Sequence, residues 1–193
     1  MVKKYKIYLF RHGQTTYNRD QRFTGFHNPK LTKLGIQQAK IIAKKLKNKR
    51  FAIAIHTKLK RSKQTLQIVL KYHPECKKTI EDNRMIERNY GKLNGITHDE
   101  FIKKYGEQEY NLIHRGYNIH PPEGESFTMV EKRVKSFIKD LKKIIKKEKC
   151  NIAISAHGNS IRLFRKIMKS APIKDACSWT MPYDKVFEYE IKV

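Results

Sequence analysis

Short apolar runs alternate with helix-periodic segments along nearly the whole chain, and this alternation is what most restricts the fold. Residues 6–10 (KIYLF), 51–56 (FAIAIH) and 151–155 (NIAIS) are brief and strongly apolar. Residues 32–49 place Ile36, Ala39, Ala43 and Leu46 on one helical face with lysines on the other, and residues 61–72 and 160–169 also read as helices. Thr97-His98-Asp99-Glu100 has the form of a capping box opening a helix towards Tyr105. Ser126 is placed to cap a long helix carrying Val130, Val134, Phe137, Leu141 and Ile144/Ile145 on one face. Residues 186–191 (VFEYEI) alternate, as in an edge or final strand. Such a pattern predicts a layered α/β domain around a largely parallel sheet, covered on both faces because its strands are continuously apolar. No repeat or low-complexity linker divides the chain, so a single domain over 1–193 is expected. Residues 114–126, with Gly116, Pro121, Pro122 and Gly124, predict a long loop of the kind that carries function.

Open α/β sheets bind ligands beyond the carboxyl ends of their strands. Two of those ends carry similar sequences, Arg11-His12-Gly13 and Ala156-His157-Gly158-Asn159. Each joins a histidine to a glycine that allows close backbone approach, and a helix start after it would aim N–H groups at an anion. With Arg61 at a third strand–helix junction, the cations converge as an oxyanion or phosphate pocket would require. No P-loop, G-x-G-x-x-G, H-E-x-x-H or G-x-S-x-G occurs, which leaves the two histidines as the candidate nucleophiles. His98-Asp99-Glu100 is a poor metal site because consecutive helical residues point apart.

Charge suggests a different class. Lys and Arg total 43 against 18 Asp and Glu, a formal charge of +25. Yet the lysines fall largely on polar helix faces and no nucleic-acid recognition motif accompanies them, so no specific nucleic-acid partner is expected. Salt-sensitive attraction to polyanions is the expected residue of that charge. No apolar run reaches the ~20 residues that span a bilayer, and the apolar stretch after the basic N-terminus is too short for a signal-peptide core. Cys76, Cys150 and Cys177 are odd in number and far apart, as free thiols in a reducing cytosol would be. A cytoplasmic protein with no membrane partner is expected.

The motif blocks, taken in order, resemble the histidine phosphatase superfamily, whose members carry R-H-G after the first strand. LFRHGQTTYNRDQRFTGF, Glu87-Arg88-Asn89-Tyr90-Gly91-Lys92-Leu93-Asn94-Gly95 and Ala156-His157-Gly158-Asn159-Ser160-Ile161-Arg162 are similar to its cofactor-dependent phosphoglycerate mutase branch. Lys104-Tyr105-Gly106, and Arg115-Gly116-Tyr117 leading to Pro121-Pro122, also fit. The resemblance implies a three-layer α/β/α sandwich of the phosphoglycerate mutase type. It implies His12 as the nucleophile that becomes phosphohistidine, with Arg11, Arg61 and His157 holding the phosphoryl oxygens and Asn18 adding a neutral donor. Glu87 takes the general acid/base role. Thr24, Gly25, Arg88, Tyr90, His98, His114, Arg115, Gly158 and Asn159 are the substrate-binding positions it implies. Interconversion of 3- and 2-phosphoglycerate in glycolysis and gluconeogenesis is the implied reaction. The primer is 2,3-bisphosphoglycerate, no metal is needed, and the partner is a small anionic phosphorylated metabolite.

The chain departs from that branch in places. His98 stands where Lys is usual, and His114 replaces the first of two arginines. Gly124-Glu125-Ser126 reads like phosphatase relatives, and the chain stops soon after the last strand, where many mutases have a tail that helps close the site. A histidine-type phosphatase acting on small phosphomonoesters is the alternative expectation, with a monomer or homodimer in either case.

Overall fold

The computed structural model describes residues 2–193. The chain runs β1 (Lys4–Arg11), α1 (Thr16–Arg19), α2 (Lys33–Leu46), β2 (Ile53–His56), α3 (Lys60–Leu70) and β3 (Lys78–Glu81). Two 3-10 turns, Asn83–Met85 and Gly91–Leu93, follow. Then come α4 (His98–Tyr105), α5 (Glu107–Arg115), α6 (Phe127–Glu148), β4 (Ile152–Ala156), α7 (Gly158–Lys169), α8 (Ile173–Ser178) and β5 (Val186–Lys192). The five strands form one sheet in the order β3-β2-β4-β1-β5. All neighbours are parallel except β1 and β5, which pair antiparallel from Lys4↔Lys192 to Phe10↔Val186.

Period-two alternation divides the sheet between two helical layers. Ile7, Leu9, Ile53, Ile55, Ile152 and Ile154 face α6 and α7. Tyr8, Phe10, Ala54 and Ala153 face the other way, against Ile42, Ala43 and Leu46 of α2 and Leu66 and Val69 of α3. The α/β/α sandwich expected from the sequence is therefore present. The long helix α6 is capped by Ser126 Oγ, which accepts from Met129 N, and buries Phe127, Val130, Val134, Phe137 and Leu141. Each such side chain contributes roughly 1.5–3 kcal/mol relative to exposure. The capping box at Thr97 forms as its spacing predicts. A third cluster, Phe23, Tyr90, Leu93, Phe101 and Ile113, joins α4 and α5 into a small cap outside the sheet layers.

The structure adds elements that the periodicity does not announce. β3 (KTIE) is mostly exposed and gains its structure by pairing with β2 at the sheet edge. α5 extends to Arg115, two residues into the stretch read as loop, and buries little beyond Ile113. Among the described residues no helix is long and apolar enough to cross a membrane.

Candidate active site

β1 and β4 are neighbours, but the helices that follow them pack on opposite faces of the sheet, α2 on one and α7 on the other. Their carboxyl ends therefore border a topological switch point, where open α/β sheets place ligands. The loop after β1 is pinned there by backbone contact. A Cβ at Gly13 would lie 2.1 Å from Gly35 O, and one at Gly35 would lie 2.0 Å from Gln14 O, so both positions require glycine. Gly13 N also donates to Thr65 Oγ1 on α3 at 3.1 Å.

His12 is 1% exposed. Its Nδ1 lies 2.7 Å from Gly13 O, an atom that only accepts, so Nδ1 carries the hydrogen and Nε2 the lone pair. Arg61 Nε donates to that Nε2 at 3.1 Å. Arg61 is itself fixed, donating to His27 O at 2.6 Å and Gly25 O at 2.9 Å. His157 sits beside His12 with ring centroids 5.0 Å apart and its Nε2 2.8 Å from Thr57 Oγ1. Burial, then the adjacent Arg61, holds both imidazoles well below their ordinary value, so both are neutral at physiological pH. Neutrality is what a nucleophilic imidazole needs. Burial also pulls Arg61 down to about 10, which leaves it charged at pH 7. Arg11 donates to Met181 O at 2.9 Å and stacks 4.0 Å over the Tyr183 ring, while its buried Nε has no partner among the described residues.

Outside this group lies a cleft of about 520 Å³. Glu87 lines it, with Oε1 accepting from Arg88 N at 2.8 Å and from Asn159 N, in the first turn of α7, at 3.1 Å. Asn18, Thr24, Gly25, Tyr90, His98, His114, Arg115, Gly158 and Asn159 also line it. Asn18 Oδ1 accepts from Thr15 N and Oγ1, which fixes the side chain. Tyr90 Oη accepts from Asn159 Nδ2 at 3.3 Å. Arg88 is the exception. It is fully buried, absent from the cleft lining, and all three guanidinium nitrogens donate to backbone carbonyls, of Glu125, Ile113 and Ile119. Its geometry is that of a strut behind the site, in place of the substrate-binding role expected for it.

The cleft also contains side chains that the motif reading does not single out: Arg22, Phe23, Arg162, Met181 and Tyr183. Arg162 and Arg115 each donate to the same carbonyl, Cys177 O, at 3.0 Å. Burial and the neighbouring Arg115 bring Arg162 down to about 10, and its buried Nε has no partner among the described residues. The cleft thus holds two cation groups, one around Arg11 and one around Arg115 and Arg162. His98 and His114 stack with Tyr110, and burial lowers both, His114 to about 3 with help from Arg115. His114 is therefore a neutral ring where the branch has an arginine, and His98 Nδ1 lies 3.2 Å from Tyr110 Oη. Among the described residues no group of three or more His, Cys, Asp or Glu converges as metal ligands do.

Comparison with known proteins adds four findings. Residues 7–192 match the family model of the histidine phosphatase superfamily, branch 1. The chain is 37% identical over 161 residues to a phosphoglycerate mutase of Schizosaccharomyces pombe, covering 81% of this chain and 75% of that one. It is 35% identical over 161 residues to a 2,3-bisphosphoglycerate-dependent phosphoglycerate mutase of Parvibaculum lavamentivorans, covering 81% and 76%. Among solved structures, a mycobacterial glucosyl-3-phosphoglycerate phosphatase superposes with a TM-score of 0.84 at 20% identity, over 97% of this chain and 91% of that one, and so shares the fold.

Proposed function

Because the chain belongs to the histidine phosphatase superfamily, we propose that it transfers phosphoryl groups through His12, interconverting 3- and 2-phosphoglycerate with 2,3-bisphosphoglycerate as primer. The observation that carries the finer reading is the second cation group. Arg115 and Arg162 share one carbonyl in the cleft that also holds Arg11 and Glu87. Hydrolysis of a simple monoester needs one phosphate site, whereas a phosphoglycerate presents a second anion in both substrate and product. The names of the curated relatives point the same way. The residues also fit the primer. Buried Nε donors without partners stand at Arg11 and at Arg162, one in each cation group, as a ligand with several anionic groups requires. When bound, 2,3-bisphosphoglycerate would supply the phosphoryl group that charges the enzyme. The setting is glycolysis and gluconeogenesis in the cytoplasm.

In this reading Nε2 of neutral His12 attacks phosphorus, and Arg61 shifts its hydrogen bond from that nitrogen to a phosphoryl oxygen. Arg11 and His157 stabilise the charge that spreads over the other oxygens. Glu87 gives its proton to the departing oxygen and takes one from the hydroxyl that later attacks the phosphohistidine. The deciding assay incubates the protein with 3-phosphoglycerate and primer and follows both products. 2-Phosphoglycerate is expected to form faster than free phosphate. Rapid phosphate release without 2-phosphoglycerate would overturn the mutase reading.

His114, held at about 3, favours that second outcome, a phosphatase, because it brings no charge to the position where the mutase branch has an arginine. It also gives a pH prediction. Were His114 to titrate near its ordinary value, its charge would tighten anion binding as pH falls through about 6.5. With His114 held at about 3, no such gain arises. The ratio of KM values between wild type and His114→Gln is therefore expected to stay within about twofold from about pH 8 to 5. Parallel KM measurements check it, and a ratio that diverges through pH 6.5 contradicts it.

A further inference from the structure

A larger concavity, about 940 Å³, lies between α2 and α3, and no residue lines both it and the catalytic cleft. Leu31, Ile36 and Ile68 give it an apolar wall, completed by Tyr72 just past the end of α3. Ile36 is 40% and Tyr72 51% exposed, which is apolar surface that the fold itself does not cover. Lys30, Lys40, Lys60 and Lys71 line the same space, and no aspartate or glutamate is among the described residues lining it. Elsewhere the basic surface is partly neutralised, as where Lys135 and Lys166 meet Glu131 and Lys143 meets Asp140. Three amides, Asn28, Gln64 and Gln67, supply neutral polarity. Asn28 is oriented because its Oδ1 accepts from Lys60 N at 2.9 Å.

We propose that this groove binds a nucleoside phosphate. A flat heterocycle suits the Ile36, Ile68 and Tyr72 surface, since aromatic faces pack well on such side chains. The edge of a base offers donors and acceptors together, and an amide side chain answers both. The lysines neutralise the phosphates. Other occupants match less of the site. Inorganic phosphate leaves the apolar wall in water, and a fatty anion leaves the amides without partners. A second copy of the chain related by a two-fold axis through the groove would set these lysines against one another. The groove also shares the segment 25–31 with the catalytic site. Asn28, Lys30 and Leu31 line it, while Gly25 and His27 hold Arg61.

The test is photolabelling with 8-azido-ATP and an equilibrium titration with ATP, both at about 0.15 M salt so that diffuse attraction is screened. Label is expected on peptides from α2 and α3, displaced by ATP and not by inorganic tripolyphosphate at equal concentration. The pair Lys40→Glu and Lys71→Glu is expected to weaken ATP binding at least about tenfold. A charge-matched pair on α6, Lys142→Glu and Lys146→Glu, is expected to change it less than about twofold. Catalytic turnover should be the same in both variants. Label confined to the catalytic cleft, equal loss in the two charge-matched variants, or equal competition by tripolyphosphate would overturn the assignment.

Discussion

Replacing His12 with alanine is expected to lower phosphoryl-transfer turnover at least about 10⁴-fold and to abolish the phosphoenzyme. The size follows from the surroundings. His157 is the nearest imidazole, but its Nε2 is engaged with Thr57 Oγ1, and Arg61 is tied to Gly25 and His27. No neighbouring nucleophile is placed to take over at His12 Nε2. The remaining arginines would still bind phosphate, so KM is expected to change far less than kcat. Incubation with labelled substrate, acid-labile phosphate on the protein and steady-state kinetics check this, with a thermal melt to show that the variant folds. An alanine variant that still becomes phosphorylated would remove His12 from the reaction.

The second large effect belongs to Glu87. Glu87→Gln is expected to slow transfer from alkyl phosphates by about 10²–10⁴, the usual weight of a general acid. Oε1 accepts from two backbone N–H groups, and a glutamine carbonyl preserves that arrangement. What it loses is the transferable proton. The loss should therefore depend on the leaving group, being largest for a poorly stabilised alkoxide and small for an aryl phosphate such as p-nitrophenyl phosphate. Rates across a leaving-group series give the answer. A uniform loss for all substrates would mean that Glu87 positions other groups and does not transfer the proton.

His12 and His157 are legible in the sequence because each ends an apolar run and precedes a glycine, and the parallel sheet brings such ends together. α2, α3, α6, α7 and the central strands are legible for the same reason, that burial imposes a period on side chains. β3 leaves no period because its edge position buries almost nothing. Arg61 and Glu87 are recognisable only within their motifs, since an isolated Arg or Glu in so basic a chain reads as surface. Arg88 misleads because it follows Glu87 directly. The backbone turn that lets Glu87 Oε1 accept from Arg88 N sends the two side chains to different places, one into the cleft and one behind it. Arg162 does leave a trace, lying three residues past Asn159 on the face of α7 that meets the cleft. Cys177 and Met181 leave none. Their contribution is a backbone carbonyl, which every residue possesses, so only the path of the chain selects them.

Those two carbonyls bear on how the molecule comes into being. Arg11, Arg115 and Arg162 are all oriented by the stretch between α7 and β5, and β5 is held by pairing with β1 at the opposite end of the sequence. A ribosome delivers the R-H-G loop well before its carbonyl anchors, with Arg11 and Met181 170 residues apart. A nascent chain therefore carries its nucleophile long before it can grip an anion, and the most distant strand pairing in the fold is also the event that makes it competent.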